Sequence, residues 1–103
     1  MKSVCYRQGD VFLIPIEKAP KSEHRANRHG VLAEGEVTGH AHRLSRPGQA
    51  EVFMIDSHMY MDVIEDEATI VHEEHGPITL PRGAYMVRIQ REYTPRGIRQ
   101  VYD

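Results

Sequence analysis

The apolar and polar positions of this chain alternate over short segments, as they do in half-buried β-strands. The first clear strand is predicted from Val11 to Ile16, directly after a Gly9-Asp10 turn. No stretch places apolar residues at i, i+3, i+4 and i+7 over three turns, so helix is a minor element at most. The pattern predicts an all-β domain, built as a small barrel or a β-sandwich.

Glycine and proline divide the rest of the chain into further predicted strands and turns. The expected strands are 31–33, resuming after Gly35 as 36–44, then 51–55, 57–64, 68–74, 78–80, 84–93 and an edge strand at 98–102. Residues 17–30 are polar and basic and are predicted to form a surface loop. Charged turns or Pro-Gly turns are expected at 65–67, 76–77 and 81–83.

Length and hydropathy restrict the organisation of the chain. A chain of 103 residues that is 40% hydrophobic supports one core, so residues 1–103 are predicted to form a single domain. Pairing of two copies would cover an apolar sheet face, which makes a homodimer an expectation. The longest apolar run, Val11 to Ile16, is far shorter than the roughly 20 residues of a membrane-spanning helix. The lone Cys5 and the absence of a secretory pattern after Met1 predict a cytoplasmic protein.

Charge is segregated along the sequence although the net charge is only −2. Residues 51–74 contain eight acidic residues and no Lys or Arg, whereas residues 1–50 and 75–103 each carry a net charge of +3. One interpretation is that acidic and basic segments lie side by side and pair across the sheet. The alternative is an arginine-rich face that binds anions.

Histidines are the residues most suggestive of chemistry. The chain has seven, and four of them form two close pairs. His40 and His42 have i, i+2 spacing, which on a strand directs both rings to one face with Cβ atoms about 7 Å apart. His72 and His75 lie where a predicted strand runs into a turn, with Glu74 beside them. Both pairs are therefore candidate ligands for one metal ion.

Imidazole donors with an optional carboxylate suit a divalent transition metal such as zinc, iron, manganese or nickel, and do not suit calcium or magnesium. The predicted ligands are His40, His42, His72 and His75. The other three histidines, His24, His29 and His58, are interpreted as solvated surface residues.

Two segments resemble the motifs of the cupin superfamily. Gly35, followed after four residues by His40 and His42, resembles the first motif. Segment 76–83, which contains a Pro-x-Gly sequence, resembles the second. The resemblance covers about residues 35–86 and implies a cupin-like barrel that holds a metal.

Two positions of the cupin pattern are filled by other residues. Arg46 and Pro47 stand where a glutamate follows the histidine pair, and Met86 stands where a histidine follows the Pro-x-Gly turn. His72 and His75 would have to supply the ligands that these positions lack.

These residues predict a metal-dependent hydrolase in which an open coordination position activates water or polarises a substrate oxygen. Glu73 or Glu74 is the predicted general base, and Glu74 is also the alternative to His75 as the ligand that completes the metal shell. Arg88 or Arg91 is predicted to hold an anionic substrate, which would be a phosphoester, a nucleotide or RNA. The predicted catalytic set is His40, His42, His72, Glu74 and Arg88.

Two functions of other classes fit the same sequence. The histidines alone can perform acid–base catalysis near neutral pH in a metal-free hydrolase. A non-catalytic module can instead bind RNA or a protein through its C-terminal arginines, because guanidinium groups grip phosphates and aromatic rings stack on bases. The residues of that arginine face are Arg82, Arg88, Arg91, Arg96 and Arg99, interleaved with Tyr85, Tyr93 and Tyr102.

Overall fold

The fold is all-β, as the sequence predicts. The structure is a computed structural model that describes residues 5–34 and 39–90. Its strands are β1 (Tyr6–Gln8), β2 (Val11–Ile16), β3 (Arg25–Asn27), β4 (Val31–Glu34), β5 (Ala41–Leu44), β6 (Ala50–Ile55), β7 (His58–Val71) and β8 (Ile78–Ile89), with a 3₁₀ helix at Pro47–Gln49. Within the described ranges, no helix has the length and apolar character needed to cross a membrane.

Strand β7 is the centre of a single antiparallel sheet. Along one edge it pairs with β8, from Met59 opposite Val87 to Ile70 opposite Ile78. Along its other edge it pairs first with β6 and then, near its end, with β5. The remaining strands extend the sheet outward: β2 and then β1 beyond β8, β3 beyond β6, and β4 beyond β5.

The sheet curls so that its first strand meets the end of its central strand. Gln8 lies on β1, which is separated from β7 by β2 and β8 in the sheet order. Nevertheless the Gln8 side-chain amide donates a hydrogen bond to the carbonyl of Ile70 on β7, at 3.0 Å. The curl encloses a core of apolar side chains. Its fully buried larger members are Val11, Leu13, Leu32, Val52, Met61, Ile70 and Leu80.

Two predicted turns are wrong, because β7 and β8 continue through them. The residues 65–67 and 81–83 lie inside these strands, opposite each other. The pairing passes from Val63 opposite Gly83 to Glu67 opposite Pro81, so three residues of β7 face one residue of β8. Pro81 has no N–H to donate to the ladder, and an irregularity of this kind bends a strand without ending it. The Pro-x-Gly sequence therefore marks a bulge, and not the turn expected from the cupin resemblance.

Other boundaries also differ from the expectation. Of the predicted strand 36–44, residues 36–38 lie outside the described residues and Ala41–Leu44 form β5, which pairs antiparallel with β4 through Ala33 opposite His42. The predicted loop 17–30 contains the short strand β3, paired with β6. All three residues of β3 are exposed. The segment therefore lacks the alternation of buried and exposed positions from which a strand is predicted. The predicted edge strand 98–102, and the last residues of the predicted strand 84–93, lie outside the described residues.

The acidic segment pairs with arginines, as one of the two interpretations of the charge pattern predicts. Four arginine–carboxylate ion pairs of 2.9–3.1 Å between described residues use acids between residues 51 and 74. They are Arg25–Glu51, Arg43–Glu73, Arg46–Glu65 and Arg82–Asp66. Exposed pairs of this kind contribute about 0.2–1 kcal/mol each, so they balance charge more than they stabilise the fold.

Truncation of the core should be costly. We expect Leu80→Ala to lower the free energy of unfolding by about 2–5 kcal/mol, because the fully buried Leu80 side chain would leave a cavity. Ile64→Ala is the matched control, since Ile64 is 52% exposed, and a change within about 0.5 kcal/mol is expected. Urea denaturation measures both variants, and equal losses would contradict this description of the core.

Candidate functional site

The structure brings the four paired histidines together at one end of the curled sheet. The ring of His42 lies 4.2 Å from that of His72 and 5.7 Å from that of His75, centre to centre. His72 lies 4.8 Å from His75 and 5.9 Å from His40. Residues separated by some thirty positions in sequence thus form one cluster, which we call the histidine cluster (His40, His42, His72, His75).

Strand geometry places His42 on the inside of the cluster. In β5, His42 and Leu44 are buried while Arg43 between them is exposed, so alternation directs the His42 ring inward. His40 lies just before the strand and is partly exposed. His72 and His75 follow the end of β7, where the chain turns towards β8.

Glu73 connects the two segments that carry the histidines. Its carboxylate accepts a hydrogen bond from the backbone N–H of Ala41 and another from the Arg43 guanidinium, each at 2.9 Å. The Ala41 N–H first, and Arg43 in addition, lower the pKa of Glu73 to about 2. Glu73 is therefore a stable anion that fixes the start of β5 against the segment after β7.

Gln8 and Asp10 approach the cluster from the β1–β2 turn. The Gln8 amide nitrogen donates to the carbonyls of Ile70 and Gly76, at 3.0 and 2.9 Å. The Gln8 amide oxygen lies 2.8 Å from Nδ1 of His42, and Oδ1 of Asp10 lies 3.7 Å from Nε2 of the same ring. Sequence reasoning missed both residues, because only the curl of the sheet brings them near His42.

The glycine between them permits a close approach to His75. Gly9 has φ +60°, and a Cβ atom added there would lie 2.6 Å from Nε2 of His75. A side chain at this position would collide with the ring. The turn therefore needs glycine both for its backbone conformation and for its contact with the histidine cluster.

His72 is held neutral by its surroundings. Burial, followed by the neighbouring His75, lowers the pKa of His72 below its ordinary value of 6.5. Its Nδ1 atom accepts a hydrogen bond of 3.0 Å from the backbone N–H of Glu74. A neutral ring that accepts at Nδ1 carries its proton on Nε2, so His72 must turn or exchange that proton before it can bind a metal.

Glu74 lies on the solvent side of the cluster. One of its carboxylate oxygens is 3.5 Å from Nδ1 of His40, and the Glu74 side chain is 64% exposed. Unlike Glu73, whose carboxylate is held by Ala41 and Arg43, Glu74 presents its carboxylate to a water molecule or a substrate that approaches the cluster.

Arg88 is not among the side chains that the structure brings to the cluster. It lies on β8 opposite Phe12, between the buried residues Val87 and Ile89, so its side chain leaves the opposite face of the sheet from the core. Its Nε atom is 3.4 Å from the sulfur of Met86, and it lines a shallow pocket together with His58. Arg88 and the histidines therefore do not form the single site that the sequence led us to expect.

The donor set fits a transition metal in its chemistry. Imidazoles with a nearby carboxylate suit zinc, iron, manganese or nickel. In the part of the chain that the structure describes, no three His, Cys, Asp or Glu side chains are already arranged around a common point as metal ligands. The rings instead contact one another, edge to face between His40 and His72 and stacked between His42 and His75. Metal binding would require the exposed rings to turn.

The fold and the site define a small all-β domain with a histidine cluster between a hairpin turn and the end of a central strand. Residues 7–90 match the model of a family described as a domain of unknown function (DUF8820), and the chain belongs to that family. No curated protein and no solved structure matches the chain.

Substitution of Gly9 should disturb the histidine cluster. We expect Gly9→Ala to lower the free energy of unfolding and to shift the side-chain NMR signals of His75, because the new methyl group would meet that ring. Gly39→Ala is the matched control: Gly39 also has positive φ, +87°, but nothing lies within 4 Å of an added Cβ. Both variants bear a backbone cost of about 1–2 kcal/mol. Equal effects of the two on stability and on the His75 signals would contradict the contact.

Acid should destabilise the metal-free protein through His72. Its folded-state pKa lies below the unfolded value of 6.5, so protonation favours the unfolded chain. The contribution is present above pH 6.5 and is lost as the pH falls through the folded pKa. We expect urea midpoints measured from pH 7.5 to 5 to fall less in His72→Gln than in the wild type or in His24→Gln, a variant of an exposed histidine. Parallel pH profiles for all three would refute this role.

Proposed function

We propose that this domain is a metal-dependent enzyme in which the histidine cluster holds one divalent transition metal ion: zinc, iron, manganese or nickel. The observation that carries the proposal is the convergence of four imidazole rings, with neighbouring centres 4.2–5.9 Å apart, from two distant parts of the chain. Imidazole is the commonest metal ligand among side chains. Rotation of the partly exposed rings would turn mutual contacts into shared ligation.

The reaction that fits this site best is hydrolysis. A bound divalent ion supplies Lewis acidity and lowers the pKa of water. Glu74 is the general base, because its carboxylate is exposed and lies beside His40. Glu73 is unsuitable for that role, since the Ala41 N–H and Arg43 already occupy its oxygens and keep its pKa at about 2.

The proposed substrate is anionic: a phosphoester, a nucleotide or RNA. This substrate class follows from the number of arginines in the sequence. Arg82 is paired with Asp66, and Arg88 lies away from the cluster. A cytoplasmic location belongs to the same proposal, because the lone cysteine forms no internal disulfide. Homodimer formation and an RNA-binding arginine face stay predictions.

A metal-free histidine hydrolase is the second candidate, and the state of His72 favours it. A neutral ring with a lowered pKa can take part in proton transfer at neutral pH once its Nδ1 lone pair is released from the Glu74 N–H. In this version His72 is the acid–base residue, and His40 with Glu74 orients it. The two candidates differ in their dependence on metal, which is directly measurable.

Metal content separates these functions. We expect the purified, untagged protein to contain about one transition metal ion per chain by plasma mass spectrometry, and His40→Ala/His42→Ala to contain little, because half of the imidazole donors are removed. The matched control is His24→Ala/His58→Ala, which removes two exposed histidines outside the cluster and should retain the metal.

Metal-free wild-type protein that cannot be reconstituted with zinc, iron, manganese or nickel would refute the metal proposal. If such protein hydrolysed a model phosphoester and lost that activity in His72→Gln, the acid–base candidate would replace it.

A further inference from the structure

We propose that Gln8 is a positioning residue that sets the protonation pattern of the His42 ring, and that Asp10 is a further ligand beside His42 Nε2. The Asp10 part rests on the proposed function, because it requires that the cluster bind a metal. The Gln8 part stands on the geometry of the metal-free chain. Together they add a carboxylate, and the β1–β2 turn that carries it, to the histidine cluster.

The orientation of the Gln8 amide is fixed by its two backbone partners. Its nitrogen lies 3.0 Å from the carbonyl oxygen of Ile70 and 2.9 Å from that of Gly76. A carbonyl oxygen only accepts hydrogen bonds, so the NH₂ group must point at these two atoms. The amide oxygen is then the atom that faces His42, and the reverse assignment would place oxygen against two carbonyl oxygens.

The amide oxygen in turn determines where His42 carries its proton. It lies 2.8 Å from Nδ1 of His42, and an oxygen that only accepts needs a proton on that nitrogen. The neutral ring is therefore the Nδ1–H tautomer, with its lone pair on Nε2. Metal-binding histidines are oriented in the same manner, by a partner that accepts from the nitrogen that does not bind the metal.

Asp10 lies beside Nε2, the ring nitrogen that carries the lone pair in this tautomer. Its Oδ1 atom is 3.7 Å from Nε2 of His42, and its side chain is 36% exposed. Two acceptor atoms at this separation are suited to share a cation between them, and a nitrogen–carboxylate pair is a common part of transition-metal sites. Gly9 allows the same turn to approach His75, so the turn contacts the cluster at two of its rings.

Burial gives this arrangement its rigidity. Gln8 is 3% exposed and His42 is 4% exposed, and the Gln8 amide is satisfied by two backbone carbonyls and by Nδ1 of His42. A buried amide with unmet donors would cost about 1–3 kcal/mol, so the orientation has no cheap alternative. By contrast, His75 and Glu74 are exposed and are free to adjust.

The first test measures the His42 tautomer in the metal-free protein by long-range ¹H–¹⁵N NMR. We expect wild-type His42 to be the Nδ1–H tautomer and Gln8→Met to lose this preference. Gln49→Met is the matched control, because Gln49 also accepts through its amide oxygen, from the backbone N–H of Thr69, away from the cluster. A wild-type ring in the Nε2–H tautomer, or one protonated on both nitrogens at pH 8, would overturn the role of Gln8 whether or not the variants fold.

The second test measures zinc affinity by competition with a chromophoric chelator. We expect Gln8→Met and Asp10→Asn each to weaken binding by about 10–100-fold, whereas Gln49→Met and Asp62→Asn keep the wild-type affinity. Unchanged affinity in Asp10→Asn would overturn its role as a ligand. No zinc binding by the wild type would overturn both the proposed function and the Asp10 role, while the NMR result would still decide the role of Gln8.

Discussion

The long hydrogen-bonded ladder between β7 and β8 is the interaction on which the other elements depend. Every remaining strand pairs with one of these two strands or with a neighbour of theirs. The register irregularity between Val63 and Glu67 is of the kind that bends a strand, and the sheet curls so that β1 reaches the end of β7. Without that curl, Gln8 and Asp10 would lie three strands away from the histidines.

The sequence predicted well those features that are local. The alternation from Val11 to Ile16 gives β2 with both of its bounds, and the i, i+2 spacing of His40 and His42 indicates rings that converge. The Pro81-Arg82-Gly83 segment misled, because proline and glycine mark a bulge inside a strand as readily as a turn between strands. Only the pairing partner of such a segment distinguishes the two, and a single sequence does not contain that information.

The parts of the candidate site that sequence reasoning missed are the non-local ones. Gln8 and Asp10 flank an ordinary turn, and they acquire a chemical role through contacts made across more than thirty residues of chain. The distinction between Glu73 and Glu74 was equally hidden. Both are acidic neighbours in sequence, yet one is held by Ala41 and Arg43 while the other faces solvent. Two adjacent glutamates after β7 thus differ in role: Glu73 holds the structure together, and Glu74 is accessible to solvent.

The position of β1 at the edge of the sheet affects the access of water to the buried His42. Among the described strands β1 pairs only with β2, so it is an edge strand of three residues. Edge strands open more readily than central ones, and the free energy of such local opening is smaller than that of global unfolding. When β1 detaches, Gln8 leaves and the otherwise buried His42 meets water. Fraying of this one short strand would therefore open a route for solvent, protons and ions to the innermost imidazole.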